Sequence, residues 1–156
     1  MATFVPGIRC SISGRAIPSA DQAVAFPAFI ANEADPLYVF SDAVVHIDAF
    51  RAHPLSAEVQ SRYEEARARS APTNRQCVIC QNLIQDPEDY LGLGHLVSEP
   101  SHPLSGFNYA HFHKHCLSQW MALPDLIARL NSLEDSGAWK GHALKRLVNQ
   151  LRASVA

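Results

Sequence analysis

Apolar residues fall at two spacings along the chain. Leu55, Val59, Tyr63 and Ala66 recur three or four positions apart with polar residues between them. That spacing is one face of a 3.6-residue helix, and Glu65 with Arg69 adds an i,i+4 ion pair. It predicts a helix over 56–70, ended by Ala71-Pro72-Thr73-Asn74 acting as a short linker. Leu126, Ile127, Leu130 and Leu133 repeat the pattern after Pro124, a residue suited to a first helical turn, until Ser136-Gly137 breaks it. A last helix from about Gly141 carries Leu144, Leu147, Val148, Leu151 and Val155 on one face and Lys145, Arg146 and Arg152 on the other. We expect it to pack against the domain. Shorter apolar runs read as strands over 23–30 and 37–40, with a helix starting near Val45. A second set reads as strands over 90–97 and 107–112, with a helix from His113 to about Leu123. Pro100, Pro103 and Gly106 mark 98–106 as an exposed loop.

These two sets superpose when the chain is shifted by 67 residues. Cys10 falls on Cys77, Ile12 on Ile79, Ile17 on Ile84, Pro36 on Pro103, Leu37 on Leu104, Phe40 on Phe107, Ala43 on Ala110 and His46 on His113. No gap is needed between residues 10 and 50, and the other apolar positions match in kind. The pattern predicts an internal duplication: a copy at about 10–54 and a second at about 77–121. It gives an α+β fold of two tandem treble-clef-like ββα modules with additional helices after each. The halves divide at 1–70 and 71–156 and are expected to pack as one unit.

Composition narrows the class. With 156 residues, 47% hydrophobic and 18% charged, the chain is globular. A net charge of -2 supplies no basic field for nucleic acid. No apolar run approaches the roughly 20 residues of a membrane span, and no basic segment followed by an apolar one opens the chain. The expectation is a cytoplasmic protein.

Four cysteines could form disulfides, but their placement favours metal. Cys77-Val78-Ile79-Cys80 is a CxxC turn that folds two thiols toward one point. His113 and Cys116 are three apart, so the first turn of a helix presents both on one face. The positive end of that helix favours thiolate at Cys116. Cys77, Cys80, His113 and Cys116 therefore form a candidate tetrahedral zinc site, with His111 in reserve for His113. Four protein ligands close the site, so its role is structural and one Zn2+ per chain is expected. In the first copy Ser13 stands in place of Cys80 and Ala49 in place of Cys116. One thiol and one imidazole are too few for a structural zinc, so the first copy is expected to fold without metal, with Cys10 and His46 as core residues. His53, His102 and His142 sit beside Pro or Gly and read as solvated loop residues.

The stretch with Cys77-Val78-Ile79-Cys80 and Phe112-His113-Lys114-His115-Cys116-Leu117-Ser118-Gln119-Trp120 resembles a RING finger of the H2 type over residues 77 to 121. The resemblance implies that Cys77, Cys80, His113 and Cys116 form the first of that family's two zinc sites. It departs from the family at Asn108-Tyr109-Ala110-His111, where two further ligands should lie, and no Cys-Pro-x-Cys pair follows Trp120. The second zinc site is absent, and the remainder looks like a treble clef, a fold shared by many functions.

Three functions follow as expectations. The first is a non-catalytic, zinc-stabilised module that binds another protein as an adaptor or inhibitor; the chain carries no acid–base pair, phosphate-cradling loop or activated nucleophile. The second is a RING-like ubiquitin-ligase component, in which the resemblance makes Ile79 and Trp120 contacts for the conjugating enzyme. The third is an HNH-like nuclease, a class that also builds treble clefs on a CxxC. His95 would activate water beside a divalent ion, with Asn108 and the His113/Cys116 pair following in order. Gly94 and Leu117 replace polar residues expected there.

Overall fold

Two short antiparallel sheets, each followed by helices, make up the computed structural model, which describes residues 3–154. The architecture is α+β. Strand β1 (Ala23–Phe26) pairs with β2 (Ala43–His46), and helices α1 (Ile47–Arg51) and α2 (Ser56–Ser70) follow. Strand β3 (Tyr90–Gly92) pairs with β4 (His111–His113). Helices α3 (Lys114–Leu117), α4 (Leu123–Asp135) and α5 (Ala143–Ala153) come after it.

The three long helices lie where their apolar spacing puts them. Pro124 sits in the first turn of α4, and α5 buries Leu144, Val148 and Leu151. Val155, expected on the same face, lies outside the described residues.

The strands differ from expectation. The run 37–40 is not a strand: Tyr38–Phe40 is a 3-10 turn, and β1 pairs with Ala43–His46 instead. Leu37 and Phe40 are fully buried, so their apolarity reflects burial and not pairing. The first strand ends at Phe26 because Pro27 has no N–H to continue the ladder. Beyond it, the Ser41 hydroxyl accepts the Phe29 and Ile30 N–H groups, both at 3.0 Å, and donates to the Ile30 carbonyl at 2.8 Å. In the second half, Ser105–Phe107 is likewise a 3-10 turn, and the strand expected over 107–112 is confined to His111–His113. There Asn108 accepts from Leu96 and Val97 and donates to the Val97 carbonyl. A side-chain clamp thus replaces a strand ladder in each half. The helix expected to start near Val45 starts at Ile47, because Val45 is held in β2 opposite Val24.

The helix expected over 113–123 is one turn only. Trp120 folds back onto Phe112 and Phe107, with ring centroids 5.5 and 6.1 Å apart. Pro124 then has no N–H to donate to the Trp120 carbonyl, so α3 cannot run on into α4.

Backbone contacts recur at an offset of 67 residues. Ala23 pairs with His46 and Tyr90 with His113. Cys10 N–H donates to the Arg15 carbonyl and Cys77 N–H to that of Asn82, both at 2.9 Å. Ser11 N–H reaches the Val44 carbonyl at 3.2 Å, and Val78 N–H that of His111 at 2.9 Å. Two left-handed positions recur as well, Gly14 with Gln81 (φ 68° and 63°) and Asp42 with Tyr109 (φ 52° and 58°). The offset extends past the sequence identities, since α2 begins at Ser56 and α4 at Leu123.

Each half has its own core. Cys10, Ile17, Phe26, Ile30, Leu37, Phe40, Val44, Val45 and Val59 form the first. The second runs from Leu91 through Phe112 and Leu130 to Leu151, so α5 completes it. Across the halves, Asn32 donates to the Ala138 carbonyl and accepts from Lys140 N–H, each at 3.0 Å. No helix among the described residues is long and apolar enough to cross a membrane.

Candidate metal centre

The Cys77–Cys80 turn is held from three sides. Cys77 N–H donates to the Asn82 carbonyl, Gln81 N–H returns to the Cys77 carbonyl at 2.8 Å, and Val78 N–H ties the turn to β4 through His111. Gln81 takes the left-handed conformation that reverses the chain. The His113 N–H, where β4 gives way to α3, donates to Cys77 Sγ at 3.4 Å. The knuckle and the start of α3 are thereby fixed against each other.

This geometry brings Cys77, Cys80, His113 and Cys116 together. One ligand atom from each lies within 4.8 Å of all the others. A tetrahedral ion with bonds of about 2.0–2.3 Å requires donors about 3.3–3.8 Å apart, so a small inward adjustment closes the set on one ion. His113 Nδ1 is already 3.4 Å from Cys80 Sγ. Cys77 is buried, Cys116 half-buried and Cys80 exposed, and none is in a disulfide. The donors could hold one metal ion.

The thiols titrate apart. Burial pushes Cys77 up, but N–H groups of Cys80, His113 and Ile79 directed at its sulfur outweigh that and lower it to about 6. Cys116 is raised well above an ordinary thiol by burial, then by the facing Cys80 and Cys77 sulfurs. Three sulfurs this close cannot all carry charge without a cation among them. A divalent ion at the centre removes that conflict.

The neighbouring histidines are occupied elsewhere. His111, the reserve ligand, donates from Nε2 to the Arg69 carbonyl at 2.9 Å and accepts the Tyr90 hydroxyl at Nδ1, 3.1 Å away. Both nitrogens are spent, so His111 is tied to the end of α2 and does not join the four. His115 is exposed and donates from Nδ1 to Asp89 at 2.6 Å. Burial would raise the Asp89 carboxyl, but the backbone N–H and imidazole of His115 hold it below the usual carboxylate range. The His115 ring lies 4.9 Å from that of His113. Asp89 escaped sequence reasoning because only the β3–β4 register carries it to the start of α3. His53 and His102 are not simply solvated: each accepts at Nδ1 the N–H two residues on, at 3.2 and 3.1 Å.

The residues raised for a nuclease do not join the cluster. His95 is 9% exposed, with Nε2 3.2 Å from the Ser98 hydroxyl. Burial, then Arg62, lower it to about 4 against the opposing pull of Asp35, so it is neutral at pH 7. It lines a cleft of about 400 Å3 with Arg62, Ser98 and Asn108, and the Asn108 side chain is committed to the clamp. Ile79 and Trp120 both pack against the second core.

No known protein family, curated protein or solved structure matches the chain.

Proposed function

We propose that the chain is a zinc-stabilised, non-catalytic protein-interaction module of adaptor or inhibitor type. In this reading it consists of two treble-clef-like copies in residues 1–70 and 71–156, packed as one unit, and only the second copy carries Zn2+. The observation that carries it is the closed donor set: three thiols and one imidazole converge from a knuckle and a helix start. Sulfur-rich sets of this kind suit Zn2+ over hard cations. Four protein ligands fill the tetrahedron and leave no position for water or substrate, which is the arrangement of structural sites. The recurrence of pairing, hydrogen bonds and left-handed residues at an offset of 67 supports the two-copy reading. Another protein remains the proposed partner, in the cytoplasm, with nucleic acid and membrane disfavoured by charge and hydropathy.

Neither alternative has an observation that favours it. A RING-like ligase would present Ile79 and Trp120 to a partner, whereas both are half-buried against the second core. A nuclease would need His95 free to meet water and phosphate, whereas it is buried and faces Ser98.

Metal content on purified protein, by elemental mass spectrometry, is the test. One zinc per chain is the expected result. A metal-free folded protein would sink the reading. A second divalent ion of a different kind would return attention to the nuclease.

A further inference from the structure

The second half's four donors have positional counterparts at residues 10, 13, 46 and 49, each 67 earlier. The backbone around these counterparts is the same. Cys10 N–H donates to the Arg15 carbonyl, Gly14 N–H returns to the Cys10 carbonyl at 2.8 Å, and Ser11 N–H ties the turn to β2. His46 N–H donates to Cys10 Sγ at 3.3 Å, as His113 N–H does to Cys77 Sγ at 3.4 Å. Ala49 is the third residue of α1, and Cys116 the third residue of α3. Burial matches position by position: 10 and 77 buried, 13 and 80 exposed, 46 and 113 half-buried, 49 and 116 half-buried.

Two chemical details show what has changed. His113 Nδ1 lies beside Cys80 Sγ, but His46 Nδ1 is buried without a hydrogen-bond partner. Ser13 stands at the position of that missing sulfur. The thiol environment also survives. The Ser13 and His46 N–H groups both reach Cys10 Sγ, at 3.4 and 3.3 Å.

We propose that positions 10, 13, 46 and 49 are the four corners of a second Zn2+ site whose cage the fold builds, with Ser13 and Ala49 at the two corners that lack a thiol. Cys10 and His46 remain in place as half of a donor set. Two donors do not hold zinc against water and chelators, so the native chain carries one ion. Ser13→Cys exchanges one oxygen for sulfur at an exposed position, and Ala49→Cys adds one sulfur at a half-buried one. Neither needs backbone movement if the cage is intact.

This inference rests on the proposed zinc site of the second half, and the experiment separates the two. The full chain and the S13C/A49C double variant are refolded with Zn2+ under reducing conditions, and metal per chain is measured. Co2+ is then substituted and its d–d and thiolate charge-transfer absorption recorded. The expected result is one ion in the native chain and two in the double variant, with tetrahedral Co2+ absorption per chain doubled. Adding Cys10→Ser to the double variant should return the second site to weak, chelator-labile binding. One ion in both proteins, with the variant folded, overturns the inference and leaves the second-half site standing. No ion in the native chain removes the premise itself. If the double variant does not fold, Ser13→Cys alone, at its exposed position, serves in its place. A three-donor site should then bind Co2+ with a tetrahedral spectrum in excess of the native chain, and an unchanged spectrum overturns the proposal.

Discussion

The two halves share a backbone pattern and fill it differently. In the first half Phe26, Phe29, Phe40, Phe50 and Tyr63 form a ring cluster. Phe26 lies 5.1 Å from Phe50, 5.6 Å from Tyr63, 6.0 Å from Phe29 and 6.4 Å from Phe40. Shifted by 67, these positions become Leu93, Leu96, Phe107, Leu117 and Leu130. The half with four metal donors has one aromatic where the half with two donors has five. Aromatic rings bury the largest areas and add edge-to-face attraction of about 0.5–1.5 kcal/mol per pair. A small module needs either a large apolar core or a crosslink to fold. The second half has instead a broad, largely aliphatic core that α4 and α5 complete, together with a donor set that could hold one metal ion. The comparison teaches that one backbone pattern can be filled by rings or by aliphatic side chains.

The strongest way to break this comparison is to remove one donor. Structural zinc supplies on the order of 10 kcal/mol to isolated zinc modules. Cys116→Ser should therefore strip hydrogen-exchange protection from β3, β4 and α4, while β1, β2 and α2 keep most of theirs. Chelator should do the same to the native chain. Equal loss in both halves would show that they fold as one cooperative unit.

The reciprocal change is Phe26→Ala. It empties the centre of the aromatic cluster and should cost about 3–5 kcal/mol, read by urea unfolding. Metal content should stay at the native value. A loss of metal would mean that the first core supports the second site directly.

A smaller effect separates the halves by pH. His95 is buried and neutral, and its counterpart in the first half is the exposed Ala28. Its folded pKa of about 4 lies below the ordinary value near 6.5. Between these values the unfolded chain binds more protons, so stability rises with pH. The contribution is complete above about pH 6.5 and is lost as pH falls toward 4, amounting to about 3 kcal/mol. His95→Gln should flatten the pH dependence of unfolding over that window relative to the native chain. An unchanged slope would show that His95 is protonated freely in the folded state.

Helices α2, α4 and α5 were legible because each carries its own period, and tertiary context only had to accept the face offered. The donor set was legible for a related reason. CxxC and HxxC place two donors each within one turn of chain, so a single long-range contact brings all four together. The strands were harder to read. The apolar runs at 37–40 and 107–112 signalled burial, but a buried 3-10 turn and a buried strand have the same composition. Ser41 and Asn108 chose between them by taking the backbone groups that a ladder would otherwise have used.

Local chemistry along the sequence therefore determined the donor residues, the long helices and the offset of 67, since each depends on spacing within a few residues or on direct repetition. Tertiary structure alone decided which of two histidines two residues apart faces the thiols. His113 stands where β4 passes into α3, while His111 is drawn to the Arg69 carbonyl and the Tyr90 hydroxyl, partners 42 and 21 residues away. It also decided that Trp120 packs on Phe107 and Phe112. These outcomes depend on which groups meet across long stretches of chain, and hydrogen-bond satisfaction and apolar packing in the folded core select among them.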